Sequence, residues 1–163
     1  HLAARVTFHH GLLGGAELDV QTLRRAALLH DLGKLALPEA VVRKPAPLTP
    51  DEQTLARAVP HLTADMLAAI PFLAPAAPIV RDMAERMDGN GYPRRLRGER
   101  VPLESRVIAA ADAYDAMTHA RVYRDAIPPQ EALLELERCA GTQFDPAVVD
   151  ALAIAIAELS RID

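Results

Sequence analysis

With 163 residues, half of them apolar and a quarter charged, the chain is long enough for one domain with a real core. A formal net charge of −4 argues against general nucleic-acid binding. The single cysteine, Cys139, excludes an intramolecular disulfide and a thiolate metal site, and no apolar run approaches the roughly 18–20 residues of a membrane span. The lone thiol fits a cytoplasmic setting. The chain opens on His1 rather than Met, and the expectation is a domain cut from something longer or a lost N-terminus.

In chain order the pattern is helix after helix with short loops. A first helix is predicted over about residues 2–13, stopped by Gly14-Gly15. Asp19 caps a second, which carries Leu23, Ala26, Ala27 and Leu29-His30 before Gly33 stops it. An irregular stretch with Pro38, Pro45 and Pro47 leads to Thr49-Pro50-Asp51-Glu52, a cap with Pro at the first helical position and Glu three residues after the cap. Further helices are expected from about Thr63 to Ile70 and from about Ala76 to Met87. Asp88-Gly89-Asn90-Gly91-Tyr92-Pro93 must be a loop. A long helix over about 103–119 follows, with Leu103, Val107, Ala110, Ala111 and Tyr114 on one face. The last two helices fall at about 129–140 and 146–160, the second started by Asp145-Pro146. Strand alternation is absent over any useful length, so the reading is all-α, a single domain of about seven helices.

Two places carry chemistry. His30-Asp31 ends an apolar helix and is followed by Leu32-Gly33-Lys34. A neutral imidazole is a good ligand for Zn, Fe or Mn, and a carboxylate beside it can bridge metals. Adjacent helical residues point about 100° apart and so approach an ion from different sides. Lys34 can then turn toward an anionic substrate. The plainer account is an ordinary helix end where His and Lys suit the dipole. The second place is Asp112, in the small-residue stretch Ala110 to Ala116, where a carboxylate needs a partner because an unpaired buried charge is expensive. A metal or an arginine would supply one; Asp115 reads as a surface acid. If the first two helices fold back on each other around residues 14–18, His1 comes level with His30 and is a candidate further ligand, whereas His9 and His10 fall on a solvated face.

At these residues the sequence resembles the HD-GYP family of bacterial cyclic-di-GMP phosphodiesterases. The resemblance rests on His30-Asp31-Leu32-Gly33-Lys34, Lys44-Pro45-Ala46-Pro47-Leu48-Thr49, Asp88-Gly89-Asn90-Gly91-Tyr92-Pro93, Val101-Pro102-Leu103, Asp112-Ala113-Tyr114-Asp115-Ala116, Arg121-Val122-Tyr123-Arg124 and Gly141-Thr142-Gln143-Phe144-Asp145-Pro146, in order and with matching spacing over about residues 20–150. It implies a compact helical bundle of the HD-domain type spanning 1–163, around a metal centre, usually preceded by a sensor or receiver region. It implies metal-ligand roles for His30, Asp31 and Asp112, with His1 as the further candidate from the fold-back above. Lys34 is implied as a phosphate-contacting and catalytic residue together with Asp31, and Arg121 and Arg124 as phosphate binders. The Gly91-Tyr92-Pro93 loop is implied as a contact for diguanylate-cyclase (GGDEF) partners.

The departures from the family pattern bear on activity. Val59 stands where the family has a histidine, and Met83 and Ala84 stand where it has two adjacent histidines before Glu85. His61, two residues from the first gap and turned about 200° around a helix, is a poor substitute. Arg95 replaces a usual glycine. All three missing ligands belong to the second metal position of the family arrangement. Two readings follow. One is a regulatory domain of cyclic-di-GMP signalling in which hydrolysis is weak or absent. The other is a phosphohydrolase acting on a cyclic dinucleotide or other phosphoester with one divalent Mn, Fe or Zn ion. The cluster Arg94, Arg95, Arg97 and Arg100 suits an anionic ligand or acidic partner, but the chain uses 16 Arg against 2 Lys, so a solvated arginine face explains it as well.

Overall fold

The structure, a computed structural model, describes residues 19–120 and 125–159. The expected first helix, with Gly14-Gly15, His1, His9 and His10, and the Arg121–Arg124 run lie outside the described residues. Among the described residues the secondary structure is helical, with α1 Val20–Leu29, α2 Glu39–Val42 (a single turn), α3 Pro50–Arg57, α4 Val59–Ala68, α5 Ala77–Arg81, α6 Leu103–Thr118, α7 Pro129–Arg138 and α8 Pro146–Leu159. No strand forms among them beyond one isolated bridge between Ala140 and Phe144. The all-α expectation holds. No helix among the described residues is long and apolar enough to cross a membrane.

Each boundary has a local cause. The Asp19 carboxylate accepts from the backbone N–H of Gln21 and Thr22 at 3.0 and 3.1 Å and starts α1. The Thr49–Glu52 capping box closes in both directions, Glu52 N–H to Thr49 Oγ1 at 3.3 Å and Thr49 N–H to Glu52 Oε2 at 2.7 Å. Helix α4 begins four residues earlier than the sequence pattern predicts. Pro60 cannot continue α3, because it lacks an N–H and its ring clashes with the carbonyl four residues back, but it is well placed in the first turn of a new helix. Helix α5 in turn ends at Arg81, where the pattern predicts continuation to about Met87. In the residues that follow, the Ala84 carbonyl and the Asp82 and Glu85 carboxylates are bonded to the loop over residues 92–96, as described below.

The core runs along α1, α4, α5, α6, α7 and α8. Leu23, Leu67, Val80, Val107, Leu136, Val148 and Leu152 are fully sequestered in one cluster. The buried Ser105 hydroxyl donates to the Ile79 carbonyl at 2.8 Å and ties α6 to α5.

Candidate active site

At the end of α1 the chain leaves the α-helix at His30 and passes through a 3₁₀ turn, Leu32–Ala36. Thr63 on α4 fixes that turn. Its fully buried hydroxyl accepts from the Gly33 N–H at 2.8 Å and lies 3.0 Å from the His30 carbonyl. Gly33 is required by the close approach, since a Cβ there would sit 2.6 Å from the Val59 carbonyl oxygen and 2.7 Å from Thr63 Oγ1.

His30 Nδ1 lies 2.8 Å from the Ala27 carbonyl and so acts as donor there. In the neutral ring this leaves a lone pair on Nε2. That atom is buried and has no hydrogen-bond partner. It faces Asp112 Oδ1 at 3.4 Å and Asp31 Oδ2 at 3.6 Å. A lone pair directed at two carboxylates is unfavourable unless a positive charge lies between them. The Asp112 carboxylate, and to a lesser degree the Ala27 carbonyl and Asp31, therefore raise the pKa of His30 above the ordinary imidazole value, although burial opposes this. The N/O donor set suits a divalent Mn, Fe or Zn ion equally well. Among the described residues no group of three His, Cys, Asp or Glu is already arranged around an ion position. Asp31 is turned to Lys34, with Nζ to Oδ2 at 2.5 Å, so an ion held by His30, Asp31 and Asp112 would draw that carboxylate away from the ammonium.

His30, Asp31, Lys34 and Asp112 all line one open cavity of about 1200 Å³, ample beside ordinary small-molecule pockets. Asp112, expected to be enclosed, is 41 % exposed on this cavity. Val59, Met83 and Ala84 line the same cavity, so the positions lacking histidine belong to the same pocket as His30. His61 is exposed and lies 3.7 Å from Asp65, where it supplies nothing to the cavity. Asp115 is a surface acid, paired with His119 at 3.2 Å.

The Gly91-Tyr92-Pro93 loop is folded against the segment that follows α5. Gly91 is buried, and a Cβ on it would run into the backbone of Glu85 and Arg86. Tyr92 donates its N–H to the Ala84 carbonyl at 3.2 Å, and the Tyr92–Pro93 peptide is cis. Tyr92 lines the cavity, the Arg57 guanidinium lies 5.6 Å from its ring centre, and burial raises its phenol pKa. Pro93 is exposed. Two acids invisible to sequence reasoning hold this loop. Glu85, 4 % exposed, accepts from the backbone N–H of Arg94 at 2.6 Å and of Leu96 at 2.9 Å. Asp82, 0 % exposed, pairs through both oxygens with the Arg94 guanidinium. Arg94 is therefore committed to the protein, while Arg95, Arg97 and Arg100 stay on the surface. The signal that could have found the clamp is a pair of acids in a near-apolar stretch just ahead of an arginine-rich loop.

Comparison with known proteins agrees with the helical fold. The HD-domain family profile matches residues 10–148. The chain is a member of the HD-domain family, of the HD-GYP type. It is 41 % identical over 152 residues to the cyclic di-GMP phosphodiesterase response regulator RpfG of Xanthomonas campestris, covering 92 % of this chain and 40 % of that protein. It is 37 % identical over 141 residues to the 3'3'-cGAMP-specific phosphodiesterase 3 of Vibrio cholerae, covering 86 % and 31 %. The fold superposes on the HD-GYP protein Bd1817 of Bdellovibrio bacteriovorus with a TM-score of 0.71 at 19 % identity, covering 96 % of this chain and 49 % of that one. This HD-GYP domain thus spans less than half the length of these proteins.

Proposed function

We propose that this HD-GYP domain binds a cyclic dinucleotide in the cavity over His30 and hydrolyses it weakly or not at all. One observation carries the reading: the cavity lined by His30, Asp31, Lys34 and Asp112 is also lined by Val59, Met83 and Ala84, a donor-poor part of its wall that offers no nitrogen or carboxylate ligand. Two-metal clamping of both attacking and leaving oxygens needs a second set of donors. Lys34 supplies a cation for a phosphate, and the names of the relatives, cyclic di-GMP and cGAMP phosphodiesterases, support the ligand class. The exposed half of the loop, Pro93, Arg95 and Arg97, is the surface this reading gives to a GGDEF-type partner.

The buried Nε2 of His30, which makes no close hydrogen bond and faces the Asp112 and Asp31 carboxylates at 3.4 and 3.6 Å, favours a second reading, a single-ion phosphohydrolase. When bound, such an ion supplies a nucleophilic hydroxide and polarises a phosphoryl oxygen. His30, Asp31 and Asp112 would hold it, and Lys34 would orient the phosphate. Calorimetry with cyclic di-GMP, elemental analysis of protein purified without chelator, and a hydrolysis assay after Mn or Fe loading separate the two. The expected result is binding with negligible turnover. Turnover abolished by Asp31→Ala establishes the second reading, and absence of both binding and turnover ends both.

A further inference from the structure

Beyond the His30 wall, the cavity has a second polar edge made of Arg86, Gln143 and the Tyr92 ring. Arg86 and Gln143 lie 57 residues apart in sequence and meet through Arg86 Nη1 donating to Gln143 Oε1 at 2.8 Å. Asp88, which is not part of the lining, holds the guanidinium from the side, accepting from Nε at 3.1 Å and Nη2 at 2.9 Å. The Asp88 carboxylate is itself fixed by the Asn90 N–H at 2.9 Å, and the backbone beside it is anchored by Asp88 N–H to the Thr142 carbonyl at 2.8 Å.

The bonding inventory decides what this edge can read. A guanidinium carries five N–H donors and no acceptor. Three are used here, two on Asp88 and one on Gln143. Because Gln143 spends its carbonyl on Arg86, its remaining polar group is the NH₂, again a donor. With one Gln143 lone pair and three guanidinium N–H groups already used, the Arg86–Gln143 pair is left rich in donors, two N–H on Arg86 and the NH₂ of Gln143, on a planar group held in place before any ligand arrives, and it matches a ligand with adjacent acceptors. The O6/N7 edge of guanine has that pattern, whereas adenine places an N6 amino donor at the same spot.

We infer that Arg86 and Gln143 are specificity-determining residues that read the O6/N7 edge of a guanine base, with Asp88 as the positioning residue. The inference rests on the cyclic-dinucleotide reading above and deepens it, since in that reading Lys34 takes phosphate while this edge chooses the base. A role confined to stapling residues 86–88 to 142–143 would affect stability without affecting base choice, and a phosphate-holding role would weaken all cyclic dinucleotides alike.

The test is calorimetric affinity for cyclic di-GMP and cyclic di-AMP, measured on the wild type, Arg86→Lys and Gln143→Leu, with thermal unfolding alongside. The wild type should prefer cyclic di-GMP, and each variant should lose about tenfold of that preference, the worth of one good arginine–guanine contact. Should Arg86→Lys fail to fold, Gln143→Leu, at a half-exposed position, decides. Equal weakening toward both ligands, or wild-type affinities that do not distinguish the bases, overturns the inference and leaves the pocket reading standing. Absence of binding to either ligand by the wild type overturns both.

Discussion

Gly33→Ala isolates what holds the His30–Asp31 turn in register. The added methyl would lie 2.6 Å from the Val59 carbonyl oxygen, 2.7 Å from Thr63 Oγ1 and 2.9 Å from the Thr63 backbone nitrogen. Two of these are backbone atoms of α4, which cannot move aside as the tip of a side chain can. Overpacking of this kind costs roughly 1–3 kcal/mol. Pushing the turn away also breaks the Gly33 N–H to Thr63 bond, worth about 1 kcal/mol and buried. The expected loss is roughly 2–4 kcal/mol, read as a lower urea midpoint with unchanged slope. Gly141→Ala is the control. Its φ of +78° makes a side chain costly, but nothing lies within 4 Å of the new methyl, so the expected loss is only about 1–2 kcal/mol. A Gly33→Ala midpoint equal to or above that of Gly141→Ala would refute the packing argument.

Other outcomes follow from the same structure. Glu85→Gln replaces an oxygen that accepts a backbone N–H with an amino group that cannot, and should cost roughly 1–3 kcal/mol in chemical denaturation while loosening the loop, seen as faster amide exchange at Arg94 and Leu96. The Lys44 ammonium and the Thr49 N–H hold the Glu52 carboxyl below its ordinary pKa. A depressed carboxyl contributes stability above its unfolded pKa and loses it as pH falls through the folded pKa, so the stability gap between wild type and Glu52→Gln should be widest near neutrality and close on acidification. The triple variant Val59→His, Met83→His, Ala84→His should raise the content of bound Mn or Fe above wild type by elemental analysis; unchanged content in a folded variant would contradict the account of the donor-poor wall.

The parts of the fold legible in sequence were those with local causes. The Asp19 cap, the Thr49–Glu52 box and the proline-started α8 need only neighbours in the chain, and they appear where their residues predict them. Helix α5 was misjudged because its continuation is decided at a distance. The Ala84 carbonyl accepts from Tyr92, and the N–H groups of Met87 and Asp88 give to the Gln143 and Thr142 carbonyls, so backbone groups that would extend the helix are bonded to distant segments. At the site, the structure brings Asp31 and Asp112 within 3.6 and 3.4 Å of His30 Nε2, although the three are not arranged around an ion position among the described residues. The Arg86–Asp88–Gln143 network was not legible in sequence, since it joins two segments 57 residues apart that share no pattern.

Thr63 gives the site a property that its ligand chemistry alone would not suggest. One hydroxyl bonds the turn after His30 to the neighbouring helix, next to Gly33, where there is room for no side chain at all. The turn that carries His30 and Asp31 is thus fixed from behind by an uncharged hydroxyl and a close backbone approach. Where those two side chains sit is therefore set by the backbone beneath them rather than by the charges they carry.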